Sequence, residues 1–132
     1  MQKPSILENI LLTKQKYIAL QKENISIELL IEDIEKNTIP KNFSGSLMGD
    51  RVMLIAEMKK ASPSKGVISE DYDPKQLAIE YSESNVAAIS ILTDKDFFQG
   101  DISHLAEVSS LLTSTSIPIF RKDFIIDEYQ IY

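Results

Sequence analysis

The sequence contains no cysteine. A disulfide framework and a thiolate metal centre are therefore both excluded, and the absence fits a reducing, cytoplasmic compartment. Long apolar runs are missing too: none approaches the roughly 20 consecutive apolar residues of a membrane-spanning helix. The amino-terminal stretch MQKPSILENILLTKQKY lacks the apolar core and small-residue cleavage site of a secretory leader. These absences predict a soluble, cytoplasmic protein with no membrane partner. Positive charge is in the minority, with 14 Lys and Arg against 20 Asp and Glu and a net charge of −6. Such a balance argues against non-specific nucleic-acid binding, so an anion must be met by a local cluster of Lys or Arg. The single histidine, His104, falls early in a helical pattern and reads as a surface residue.

What is present suits one folded domain: 132 residues, 43% of them hydrophobic. Ile6, Leu7, Ile10, Leu11, Tyr17 and Ile18 recur at helical spacing, and after KEN the pattern restarts with Ile27, Leu30, Ile31 and Ile34. Both stripes call for something to cover. The stretch IPKNFSGSLMGD, with Pro40, Gly45 and Gly49, breaks the pattern and reads as a linker. Beyond it VMLIAEM is a near-continuous apolar run, as expected of a strand buried on both faces. DPKQLAIEYSES follows as a helix, with Asp73 as its cap, Pro74 at the first helical position and Gln76 placed to complete a capping box. VAAISIL reads as a second strand, DISHLAEVSSLL as a helix with Leu105, Val108 and Leu112 on one side, IPIF as a third strand, and IIDEYQIY as the opening of a third helix.

Strand and helix alternate, which implies a parallel sheet with helical crossovers. The fold class is α/β. Residues 1–50 form a helical extension and linker, and 51–132 the first three strands and intervening helices of a (β/α)8 barrel. A whole barrel needs about 250 residues, so the chain reads either as a fragment of a larger barrel or as one that must pair with something else, and its open sheet edges favour self-association.

Strand alternation then places the charges. Ile55, Glu57 and Lys59 share one face, with Leu54, Ala56 and Met58 on the other. In IPIFRKDF, Phe120 and Lys122 share a face, opposite Ile119 and Arg121. Both lysines fall at the carboxyl ends of strands, where parallel α/β folds carry their ligand sites. Convergence of Lys59 and Lys122 across a barrel mouth would suit proton exchange; ordinary exposed loop charges are the competing reading. Glu57 beside Lys59 must be paired, solvated or ligand-bound, because an unpaired buried charge costs several kcal/mol. In the loop ASPSKG, the hydroxyls of Ser62 and Ser64 and the free backbone N–H groups suit phosphate oxygens, although Ser-Pro-Ser is also an ordinary turn. Phe97 and Phe98, before Gly100, could flank a ring or simply pack.

The stretches IAEMKKASPSKGVI, DYDP, AAISILTDKDFFQG and IPIFRKDFIIDEYQIY resemble indole-3-glycerol phosphate synthase, an enzyme family of tryptophan biosynthesis. The resemblance is strong from Leu54 to Tyr132 and looser over the amino-terminal helices. It implies a barrel of the ribulose-phosphate-binding type and a carboxy-lyase reaction that needs no metal or organic cofactor. In that reaction 1-(2-carboxyphenylamino)-1-deoxyribulose 5-phosphate closes its pyrrole ring with loss of carbon dioxide and water. By resemblance, Lys122 is the general acid on the substrate carbonyl, Lys59 contacts substrate and assists proton transfer, and Glu57 is their acidic partner. Ser62 resembles a substrate- and phosphate-contacting serine, and Phe98 and Phe124 the aromatics around the anthranilate ring. Asn85 stands where the family commonly has Gly, and Phe120 where Leu is usual. The family's second catalytic carboxylate, its asparagine and its glycine-rich phosphate loops lie on later strands than this chain reaches, so the chain alone is expected to be inactive. Phosphoribosylanthranilate isomerase, another phosphate-binding barrel, is the rival enzyme reading; the absent cysteine and KKASPSKG argue against it. A non-catalytic half-barrel that binds a partner is the third.

Overall fold

In the computed structural model, which describes residues 4–132, Ser5 caps the first helix, α1 (Ile6–Asn24). Its hydroxyl accepts from the Glu8 N–H at 3.2 Å while Glu8 Oε2 accepts from the Ser5 N–H at 2.6 Å, so two otherwise orphaned donors are satisfied reciprocally. Ile10, Lys14 and Ile18, four residues apart, form its buried side. Helix α2 (Ile27–Glu35) follows, capped by Ser26. Its apolar stripe is only partly covered: Ile27 and Leu30 are half-buried, Ile31 and Ile34 are exposed, and no residue of α2 is fully buried.

Contacts group residues 4–39 with Phe124–Tyr132 in one unit and Pro40–Asp123 in another. In the first, IIDEYQIY makes only a 3-10 turn, Glu128–Gln130, rather than an opening α-helix. Asp127 and Gln130 close a capping box around it. The Tyr129 hydroxyl bonds the Gln21 and Ile25 carbonyls at 3.1 and 2.9 Å, and Lys22 pairs with Asp127 at 2.7 Å, which ties this turn to the end of α1.

The second unit holds the sheet. After a short helix α3 (Phe43–Ser46) come β1 (Ile55–Met58), a small antiparallel ribbon of β2 (Ala61–Ser62) with β3 (Gly66–Val67), α4 (Pro74–Glu83), β4 (Ala88–Leu92), α5 (Lys95–Phe98), α6 (Ser103–Leu111) and β5 (Ile119–Lys122). The main sheet is parallel, in the order β1-β4-β5, as alternation predicts; the ribbon and the two four-residue helices lie in stretches read as loops.

Register decides which side chains share a face. Glu57 pairs with Ser90 and Ser90 with Phe120; Met58 pairs with Ile91 and Ile91 with Arg121; Leu92 pairs with Lys122. One face therefore carries Ile55, Glu57, Ala88, Ser90, Leu92, Phe120 and Lys122. The other carries Ala56, Met58, Ile89, Ile91 and Ile119, which pack with Ala78, Val86, Val108 and Leu112 beneath α4 and α6. Met58, Ile89, Ile91 and Val108 are fully buried. Each contributes roughly 1.5–3 kcal/mol by leaving water, so the helix-covered face anchors the sheet and the charged face is left to other uses.

Several expectations are corrected here. VMLIAEM is not a strand buried on both faces: only Ile55–Met58 pairs, Val52 is 95% exposed, and Leu54 and Ile55 are exposed as well. β1 has a neighbour on one side only, so the apolar run outlasts its partner. The third strand begins at Ile119 and runs through Lys122, because Pro118 has no N–H and contributes only its carbonyl, to Ile89 N–H at 3.1 Å. Asp73 Oδ1 caps α4 at the N–H groups of Lys75 and Gln76, but the Gln76 side chain donates to Glu80 instead of closing a box. His104 is not a surface residue. It lies four residues before Val108, on the same side of α6, half-buried with its ring 5.8 Å from that of Tyr72 and its buried Nδ1 without a hydrogen-bond partner. Burial, with the nearby Tyr81, pushes the Tyr72 phenol up to about 12. Asn85 does adopt the left-handed conformation, at φ 55°.

Candidate active site at the strand ends

Three charged side chains meet on the open face at the carboxyl ends of β1 and β5. Glu57 Oε2 accepts from Lys122 Nζ at 2.6 Å, and Glu57 Oε1 lies 3.1 Å from Lys59 Nζ. Lys59 is close enough because alternation returns it to the face of Glu57 two residues on. Lys122 comes from the next-but-one strand. It stands two residues beyond the register position of Glu57, so its chain reaches diagonally across β4. The lysines do converge, but on a carboxylate that stands between them. Burial pushes the Glu57 carboxyl up; hydrogen bonds from Lys122 and Lys59, with their charges, outweigh this and hold it below its ordinary value.

The side chains are 29% (Glu57), 37% (Lys59) and 51% (Lys122) exposed. Ion pairs this accessible contribute about 0–1 kcal/mol each. Stability does not account for three charges gathered on a sheet face whose other members are apolar or small. Each ammonium has three N–H donors, so one can face Glu57 while others meet an incoming oxygen.

Ser62 sits in the β2–β3 ribbon just beyond β1. Its hydroxyl accepts from the Lys65 N–H at 3.3 Å and faces Ser64 Oγ at 3.5 Å. Gly66 closes the turn at φ +67°, a conformation that a side chain would strain. Phe98 ends α5, which is capped by Asp94 through the Phe97 N–H at 2.8 Å and stopped by Gln99 at φ 51°. Gly100 is required next, since a Cβ there would collide with the Leu92 carbonyl oxygen. α5 packs against β2, which sets the element of Phe98 beside the element of Ser62. Phe124 belongs to the other unit, where its carbonyl accepts from Gln130 Nε2 at 3.0 Å.

Sequence reasoning missed four polar residues. Ser90, between Glu57 and Phe120 in register, has a buried hydroxyl with no hydrogen-bond partner. It is the lone polar residue in VAAISIL, a signal that was available. Thr93, Arg121 and Asp123 form a network behind Lys122: Thr93 Oγ1 donates to Asp123 Oδ2 at 2.7 Å, and Arg121 Nη2 reaches the same oxygen at 3.2 Å. Among the described residues no group of three or more His, Cys, Asp or Glu could hold a metal ion, and no helix is long and apolar enough to cross a membrane.

The family profile for indole-3-glycerol phosphate synthase matches residues 7–132. The chain belongs to that family. Among similar curated proteins, the indole-3-glycerol phosphate synthase of Prochlorococcus marinus subsp. pastoris is 46% identical over 130 residues, covering 97% of this chain and 43% of the relative. Those of Alkaliphilus metalliredigens and Thermoanaerobacter pseudethanolicus are 41% and 44% identical, covering 96% of this chain and 48% and 47% of their own lengths. The chain thus spans about half the length of these synthases. Family membership agrees with the α/β alternation and with an open sheet in place of a closed barrel. The helical amino-terminal region, which carried the looser resemblance, lies inside the match from residue 7 onward.

Proposed function

We propose that this chain supplies the amino-terminal extension and first strands of an indole-3-glycerol phosphate synthase, acting on 1-(2-carboxyphenylamino)-1-deoxyribulose 5-phosphate. One observation carries the reading: in a chain of this family, Lys59 and Lys122, from β1 and β5, bracket the Glu57 carboxylate at 3.1 and 2.6 Å. Ring closure joins an aromatic carbon to the ribulose carbonyl carbon. The barrier falls if a proton or cation meets the carbonyl oxygen as it gains charge. Lys122 takes that role. Lys59 contacts substrate and returns protons during the loss of carbon dioxide and water. Glu57 holds both ammonium groups in place. Ser62 meets phosphate oxygens, and Phe98 lies along the anthranilate ring. A phosphorylated metabolite as substrate fits a cytoplasmic setting.

The test is a chimera in which this chain replaces the matching 130 residues of the Prochlorococcus marinus relative. Ring closure, followed by the fluorescence of the indole product, is expected from the chimera and not from the 132-residue chain alone. A chimera that melts cooperatively yet makes no product would overturn the reading.

The isolated chain is also expected to self-associate. β1 and β5 each present an unpaired edge, and Ile55 and Phe120 on the open face are 42% and 44% exposed. Phe120 stays this exposed although the Phe43 ring lies against it, with ring centroids 5.3 Å apart. Light scattering should report species larger than one chain; a monomer with a native spectrum across micromolar concentrations is the contrary result.

A further inference from the structure

We infer that Thr93 is a positioning residue for Lys122. Lys122 ends an edge strand, and nothing beyond β5 pairs with it in the sheet. Its backbone must therefore be held from the β4 side. Thr93 follows β4 directly and is only 6% exposed. It touches three consecutive residues of the β5 end. Its N–H donates to the Lys122 carbonyl at 3.0 Å. Its hydroxyl donates to Asp123 Oδ2 at 2.7 Å and accepts from Arg121 Nε at 3.3 Å. Arg121 Nη2 then closes the ring of contacts on Asp123 Oδ2 at 3.2 Å, with the Asp123 side chain 2% exposed.

The consequence is geometric. The residues on either side of Lys122 are tied to each other and to one hydroxyl on the helix-covered side of the sheet. Strand alternation then directs the Lys122 side chain to the opposite, open face. There it must reach diagonally past β4 to Glu57, and a small rotation of the β5 backbone would be magnified at the end of a four-carbon stem. The hydroxyl uses both its donor and its acceptor capacity, which valine cannot imitate and serine can.

This role rests on the proposed use of Lys122, but its test does not depend on catalysis. The full 132-residue chain is exposed to a limiting amount of an amine-acylating reagent at neutral pH, and the modification rate of each lysine is read by mass spectrometry, with Lys36 on α2's end as the reference. In Thr93→Val the Lys122 amine is expected to react about two- to fivefold faster relative to Lys36, the fold-change of losing an ion pair this accessible. Thr93→Ser should match the parent chain. Asp123→Asn, which keeps the shape of the network and weakens it, should fall between, and it serves if the valine variant does not fold. An unchanged Lys122 rate in a folded valine or asparagine variant overturns the inference, as does a serine variant that behaves like valine. Failure of the chimera to close the ring, with these rates as expected, would instead remove the proposed reaction and leave the positioning intact.

Discussion

In the active chimera, Lys122→Ala is expected to lower kcat for ring closure by about 10²–10⁴-fold, the usual range for a lost general acid, while KM changes little. The ammonium is held at 2.6 Å from Glu57 at the end of β5, on the face where the carbonyl would approach. Alanine removes the proton donor and leaves the helix-covered core untouched, since Lys122 is half-exposed and its ion pair contributes about 0–1 kcal/mol. A thermal melt close to the parent's, combined with the drop in kcat, identifies a chemical loss. A kcat within fivefold of the parent, or a loss confined to KM, would place Lys122 outside the chemical step. Restoration of a fraction of the rate by added primary amines would support the assignment further.

Glu57→Gln is expected to lower kcat by about a hundredfold and to change its response to acid. An ionised carboxylate accepts from both lysines at once. An amide accepts through one oxygen and turns an N–H₂ donor toward the other ammonium, so at most one lysine keeps its place. The two cations then also lose the charge that separates them. The sign of the pH effect follows from the depressed Glu57 value. A carboxyl that ionises more readily in the folded state contributes stability above its unfolded value, near 4.5, and loses it as pH falls through the lower folded value. The parent should therefore be more stable than the glutamine variant near neutrality, and urea midpoints should converge as pH falls below 4.5 and through the lower folded value. A stability difference that stays constant from pH 7 to 3, or a variant with nearly parental turnover, would show that the carboxylate does not organise the lysines.

Much of the candidate site was legible because strand geometry is local. Period-two alternation alone put Glu57 and Lys59 on one face and Lys122 beside Phe120 on another strand, and the pairs are made. The order of strands and helices was equally legible from apolar runs and caps. Where reading failed, non-local partners were the cause. The extent of β1 depends on which residues find a neighbour in β4, and the pattern VMLIAEM carries no such information. His104 reads as a surface residue by type, and only its helical side, shared with Val108 four residues on, accounts for its half-burial against Tyr72.

The sequence by itself determined the class of fold and which charged residues lie at strand ends, since both follow from residue type and spacing along one chain, and its motifs carried the resemblance to the family. Tertiary structure alone decided that a single carboxylate stands between two lysines, one of them 65 positions from it along the chain, and that Thr93, Arg121 and Asp123 brace that lysine from behind. Register between strands sets those meetings. It is chosen by burial of Met58, Ile89 and Ile91 beneath the helices, a property of the packed sheet and not of any segment read alone.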